Sequence, residues 1–153
     1  MMRAIMLKLP PPIWALVYLV IAYGLSVLAG ENPIPNLPGV PFAVVLILAG
    51  AALSVSAAVL FRREGTELDP ASATNQKLVK SGPFRFTRNP MYLGLVLVTL
   101  GIAFWVRTWP MFLAPTAAFA TANWAHIPFE EAKMRRQFGS DFEGYTRKAR
   151  RWI

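Results

Sequence analysis

A chain of 153 residues that is 55% hydrophobic and only 16% charged, with net charge +8 and mean hydropathy +0.41, does not have the composition of an average soluble domain or a disordered chain. Cysteine is absent, which excludes disulfides, thiolate metal sites and cysteine nucleophiles together. The charges are clumped: apart from Tyr, nothing ionisable lies between Lys8 and Glu31 or from Asn32 to Phe61, so the positive charge reads first as membrane topology.

In chain order, four segments approach the ~20 apolar residues that a bilayer core about 30 Å thick requires. The first, Ile13 to Gly30, follows Pro10-Pro11-Pro12, which helps to fix the helix start. Arg3 and Lys8 before it, and Val27-Leu28-Ala29 ahead of Gly30, have the outline of a cleaved leader. The apolar run is longer than a leader's and three more spans follow, so it is read as a span. Val40 to Phe61 is the second, and Pro90 to Val106, short for a span, is the third. Trp109 to Ile127 is the fourth, with a kink expected at Pro115.

Lys and Arg fall on alternate sides of these spans. Glu31 to Gly39 holds neither and is broken by Pro33, Pro35 and Pro38. Residues 62–89 hold Arg62, Arg63, Lys77, Lys80, Arg85 and Arg88, and only Arg107 lies between spans three and four. The tail, 128–153, carries Lys133, Arg135, Arg136, Arg147, Lys148, Arg150 and Arg151. The positive-inside rule puts both termini and loop 62–89 in the cytoplasm. Trp14, Trp105, Trp109 and Trp124 lie near span ends, where interfacial belts form. Three small-residue stripes suit close helix packing in lipid: Ala22, Ser26, Gly30; Gly50, Ser54, Ala58; and Ala114, Ala118, Ala122. The tail from Phe129 reads as an amphipathic helix with Phe138, Phe142, Tyr145, Ala149 and Trp152 on one face, although Gly139 and Gly144 count against it. It would lie on the anionic leaflet or cover a site. The expected fold is an all-α integral membrane protein of about four transmembrane helices plus a C-terminal amphipathic cytoplasmic helix, one membrane-embedded domain over 1–153, multi-pass in a bacterial inner membrane.

No Asp, Glu, Lys or Arg sits in mid-span, so a charged transport pathway has nothing to work with. Polar residues gather in loop 62–89, at the entrance to span three and in the tail. Taken singly they have plain readings. Asn89-Pro90 makes a good helix start, with Asn as N-cap and Pro at the first helical position. Arg85 and Arg88 can snorkel to headgroups. Glu130-Glu131 can be first-turn acids after Pro128, His126 an interfacial hydrogen-bonding residue and Tyr92 a belt residue.

Bilayer physics does not require the order and spacing of two blocks. Leu78 to Gly94, ending in Arg88-Asn89-Pro90-Met91-Tyr92-Leu93-Gly94, resembles the signature of the isoprenylcysteine carboxyl methyltransferase and phospholipid methyltransferase superfamily. Glu130-Glu131, followed by Phe138-Gly139 and Tyr145, resembles its C-terminal signature. Upstream, Arg62-Arg63-Glu64-Gly65-Thr66 and Asp69-Pro70 are similar to its bacterial branch. The resemblance covers about residues 61–153; the first two spans match in hydrophobicity alone.

The resemblance implies an integral-membrane enzyme that methylates lipophilic substrates with S-adenosylmethionine and releases S-adenosylhomocysteine. By alignment, cofactor contacts fall on Gln76, Lys77, Leu78, Val79, Phe84, Asn89, Pro90, Met91, Tyr92 and Glu130, with Arg88 in the same set. Many relatives have His in place of Asn89 and Tyr in place of Phe84. His126 stands where prenylcysteine methyltransferases have a substrate-binding Arg, and is the substrate-binding candidate here. His126, Glu130 and Glu131 exhaust the bases near the membrane and are the catalytic candidates. A carboxylate acceptor needs no base, whereas a protonated amine must first lose a proton, for which His126 is the obvious candidate. The expected partners are a lipophilic small-molecule or lipid-linked substrate and membrane lipids. Three readings stay open: methylation of a prenylcysteine-type carboxylate, N-methylation of phosphatidylethanolamine, and a non-enzymatic membrane assembly protein that binds partners through its small-residue faces and basic tail. Nucleic-acid binding ranks last, because topology accounts for the basic residues and no nucleic-acid reading motif is visible.

Overall fold

The computed structural model describes residues 9–30, 33–65 and 77–153, which are helical with no strand among them. Helix α1 (Pro11–Leu28) starts two residues earlier than the apolar run suggests, because prolines in a first turn give up N–H groups that would have no partner anyway. Gly30, at φ +84°, ends it. Helix α2 (Val40–Arg63) runs two residues past the apolar segment and carries Arg62 and Arg63 in its last turn, where the helix dipole favours cations. Both helices are long and apolar enough to cross a membrane, and only 17% and 11% of their most apolar stretches is buried. Leu16, Val20, Ile21, Val45, Leu48 and Val55 all face outward. Helices that leave this much apolar surface exposed suit lipid rather than water.

Helix α3 (Pro90–Val106) lies where the sequence places it and is closed by Arg107 in the left-handed region, φ +65°. It crosses α2 at very short range. A Cβ on Gly50 would sit 2.5 Å from the Gly94 carbonyl oxygen, and one on Gly101 would sit 2.8 Å from that of Ala43. Only glycine permits that approach. In the first stripe Ala22 and Ser26 are buried, and the Ser26 and Thr108 hydroxyls lie 2.7 Å apart, but Gly30 is exposed.

The segment expected as a fourth span is not one helix. A 3₁₀ turn (Trp109–Phe112) leads into α4 (Leu113–Thr121), then a π turn (Ala122–His126), which passes without a break into α5 (Ile127–Phe138). Pro115 lies in the first turn of α4, where its missing N–H costs little, so the irregularity is not there. It is at the π turn, where the Ile127 N–H reaches back to the Ala122 carbonyl, one residue further than in an α-helix. Pro128 follows immediately and cannot donate to the carbonyl four residues before it, and the widened turn absorbs that loss. Because the helix continues, Glu130 and Glu131 do not sit at a free N-terminus, and the dipole reading of this pair lapses.

The tail is likewise not a single amphipathic helix. Gly139, at φ +48°, breaks it between α5 and the short α6 (Ser140–Thr146). The apolar pattern nevertheless marks core residues. Phe142, Tyr145 and Ala149 pack with Ala57, Val79 and Phe84, while Trp152 packs against a separate cluster of Tyr92, Ala122 and Ile127. The last residues run back over the start of α3, forming a parallel bridge between Thr87 and Arg150.

Candidate functional site

Pro90 sets the start of α3 and buries itself there, which puts Tyr92 on the first turn, facing the π turn. His126 and Glu130 are four residues apart and share a face of α5 and the turn before it. The extra residue of a π turn rotates all that follows by about 100°, so this turn decides which side chains meet Tyr92. The Tyr92 hydroxyl donates to Glu130 Oε1 at 2.5 Å, and the Tyr92 and His126 rings lie 5.9 Å apart at 32°. His126 is 3% exposed, and its Nε2 has no hydrogen-bond partner among the described residues. Loss of surrounding water pushes the Glu130 carboxyl up to about 7; the Tyr92 hydrogen bond and the Lys133 charge offset part of that rise.

Glu131, the next residue, faces elsewhere. It accepts from Arg88 at 2.9 Å and from Arg151 at 2.6 and 3.3 Å. Burial alone would raise its carboxyl, but the Arg151 and Arg88 hydrogen bonds and charges outweigh burial and hold it below the usual carboxylate range. Arg88 also donates to the carbonyls of Ala149 (2.5 Å) and Thr146 (3.2 Å), and its backbone N–H donates to Arg150. The Thr87 hydroxyl and the Asn89 side-chain amide both donate to the Arg151 carbonyl. Trp152 Nε1 donates to Asn123 while its ring packs on Phe119. Together these contacts latch the C-terminal residues onto the signature segment. Asn89 therefore occupies the N-cap position of α3 without capping it, since its side chain holds the tail instead.

The residues aligned with cofactor contacts divide by place. Tyr92 joins His126 and Glu130. Lys77, Leu78 and Val79 line an open groove of about 610 Å³ together with Glu64, Lys80 and Asp141, and Lys77 pairs with Glu64 at 3.4 Å. Phe84 is a core residue that stacks on Phe61 (4.9 Å, 7°), and its carbonyl accepts from the Tyr145 hydroxyl, which burial pushes up to about 12. Met91 packs on the same cluster, and its carbonyl accepts from Ser54. Arg88, Asn89 and Glu131 belong to the latch, and Pro90 to the helix start. Gln76 lies outside the described residues. The sequence reading did not single out Arg151, Asn123 or Tyr18. Arg151 was one cation in a basic run, and nothing local marks it as the one that turns inward.

Neither the curated proteins nor the solved structures gave a match to the chain. A family model, Phospholipid methyltransferase, matches residues 39–141, and so takes in α2 as well as both sequence blocks up to α6, while α1 and the residues after 141 lie outside the match. That is well over half of the chain, with Tyr92, His126 and Glu130 inside it, and the protein belongs to the phospholipid methyltransferase family of membrane methyltransferases.

Proposed function

We propose that the chain is a multi-pass methyltransferase that uses S-adenosylmethionine at the cytoplasmic face of the membrane and acts on a lipid-borne acceptor. The observation that carries this reading is the convergence of Tyr92, from the first sequence block, with Glu130, from the second, and with His126, one turn before it. Helical packing alone gives no reason to set a half-buried carboxylate against a phenol beside an unpartnered imidazole. Four membrane crossings, with α4 and the π turn making up the fourth, one domain over 1–153 and cytoplasmic termini are part of the same proposal and rest on the distribution of Lys and Arg.

The residues present fit the cofactor. Lys77 and Lys80 of the groove offer cations for a carboxylate, while Glu64 and Asp141 offer acceptors for an ammonium and ribose hydroxyls. Bound S-adenosylmethionine supplies an electrophilic methyl group. The chain contributes position and a proton acceptor.

One observation favours an amine acceptor over a carboxylate. Arg88 and Arg151 are held by Glu131, which leaves Tyr92, His126 and Glu130 to meet the acceptor. An ammonium finds the Glu130 carboxylate there, beside the Tyr92 hydroxyl and the His126 ring. Glu130, holding its proton to about pH 7, is suited to take a proton near neutrality. The leading acceptor is therefore an aminolipid of the phosphatidylethanolamine type, with the prenylcysteine carboxylate second. Calorimetric titration of detergent-purified protein with S-adenosylhomocysteine tests the cofactor: folded protein that does not bind it rules the proposal out. Methyl label appearing in phosphatidylethanolamine headgroups, rather than in alkali-labile esters, separates the two acceptors.

A further inference from the structure

Tyr92 and His126 also line a second, smaller space whose other wall is α1. Trp14 and Tyr18 of α1 line it together with Thr121 of α4. Its volume, about 10 Å³, is that of a single water-sized group. Trp14 and Tyr18 stack on each other at 5.9 Å, and the Tyr18 and Thr121 hydroxyls lie 2.6 Å apart. The His126 Nε2 is buried and unpartnered, so this wall of the slot includes a hydrogen-bonding atom that the fold leaves unsatisfied. No Lys, Arg, Asp or Glu lines the slot. Beside it, Ile13 and Leu16 of α1 are exposed and apolar, a surface for an acyl chain rather than for water.

We infer that this slot receives the reacting head of the acceptor, with the acyl body left in lipid, and that α1 sets acceptor selectivity through Trp14 and Tyr18. The inference rests on the methyl-transfer reading and adds to it, because α1 lies outside the family match. An amine that enters as the ammonium gives its proton to His126, which lines the slot, or to the Tyr92 hydroxyl as that hydroxyl passes its own proton to Glu130. Its lone pair then forms the N–CH₃ bond as the methyl–sulfur bond breaks, and the sulfur keeps that bond's electrons in the thioether product. A slot of one-group size admits an unmethylated head far better than a bulkier methylated one. The product should therefore be mainly monomethylated, and widening the slot should carry methylation further.

The test uses full-length protein in phosphatidylethanolamine vesicles, with S-adenosylhomocysteine titration run in parallel. Tyr18→Phe, which keeps the shape and removes the hydroxyl, should raise the acceptor KM about three- to tenfold and leave S-adenosylhomocysteine affinity within twofold. Trp14→Ala should shift the product toward di- and trimethylated lipid. Phosphatidylethanolamine with a diazirine high on its acyl chain should label the peptide that contains Trp14 and Tyr18. Unchanged KM and product distribution in both variants, or labelling confined to other helices, overturns the slot while leaving the methyl-transfer reading standing. Wild-type protein that binds no S-adenosylhomocysteine overturns both.

Discussion

Adjacent carboxylates on the two sides of the first turn of α5 live in opposite surroundings. On one side Glu130 meets a phenol and little water, and its proton is held to about pH 7. On the other, Glu131 meets two guanidinium groups and stays ionised. The contrast shows that burial alone does not assign a role. A buried carboxylate ion-paired to cations of other segments is a tie between them; one hydrogen-bonded to a phenol and holding its proton to near neutrality is a candidate base. The helix that carries both holds the candidate chemistry and the latch one residue apart, about 100° round its axis.

The contrast can be broken by substitution, starting with the largest effect. Glu130→Gln should lower the rate of aminolipid methylation about 10²- to 10⁴-fold, with helicity by circular dichroism unchanged; near wild-type turnover would remove Glu130 from the chemistry. Glu131→Gln should instead cost about 3 kcal/mol of stability by leaving Arg88 buried without its partner, seen as a lower Tm in detergent. Arg151 adds less because it is partly exposed. The stability that Glu131 supplies is present above the ordinary carboxylate range and is lost as pH falls through its depressed folded value.

Glu130 has the opposite sign. Its folded carboxyl keeps a proton that the unfolded one releases, so stability falls as pH rises from about 4.5 to about 7. Glu130→Gln should accordingly be more stable than wild type at pH 8, on the order of 1 kcal/mol, with no gain at pH 4. Equal Tm differences at both pH values would contradict the assignment. The smallest expected effect is that of Tyr92→Phe. Its hydroxyl lowers the Glu130 value, so its removal should move the acid limb of the pH–rate profile upward while changing Tm little.

Much of the frame was legible in the chain itself. Apolar length and the grouping of Lys and Arg located α1, α2 and α3 to within two residues, because hydropathy and proline placement act locally. The Gly50 stripe pointed to close helix approach, and the tail's apolar face named Phe142, Tyr145 and Ala149, which are buried, and Phe138 and Trp152, which are partly so. The tail's shape was less legible. A period of 3.6 predicts which residues are apolar together, but Gly139 divides the helix that would carry them. The fourth segment misled in a similar way: Pro115 looked like the interruption, yet Pro128 sits where a carbonyl needs a donor and the π turn forms just before it.

The sequence by itself determined the membrane character, the family and the set of ionisable residues available for chemistry, since all three depend on composition and on order along the chain. It could not divide that set. That Glu130 turns to Tyr92 and Glu131 to Arg88 and Arg151, that Asn89 holds the tail rather than capping its helix, and that α1 walls the slot beside His126 were decided by tertiary structure alone. Each depends on rotation about a helix axis and on which distant segment fills the space opposite, and neither quantity is encoded by the residues on either side.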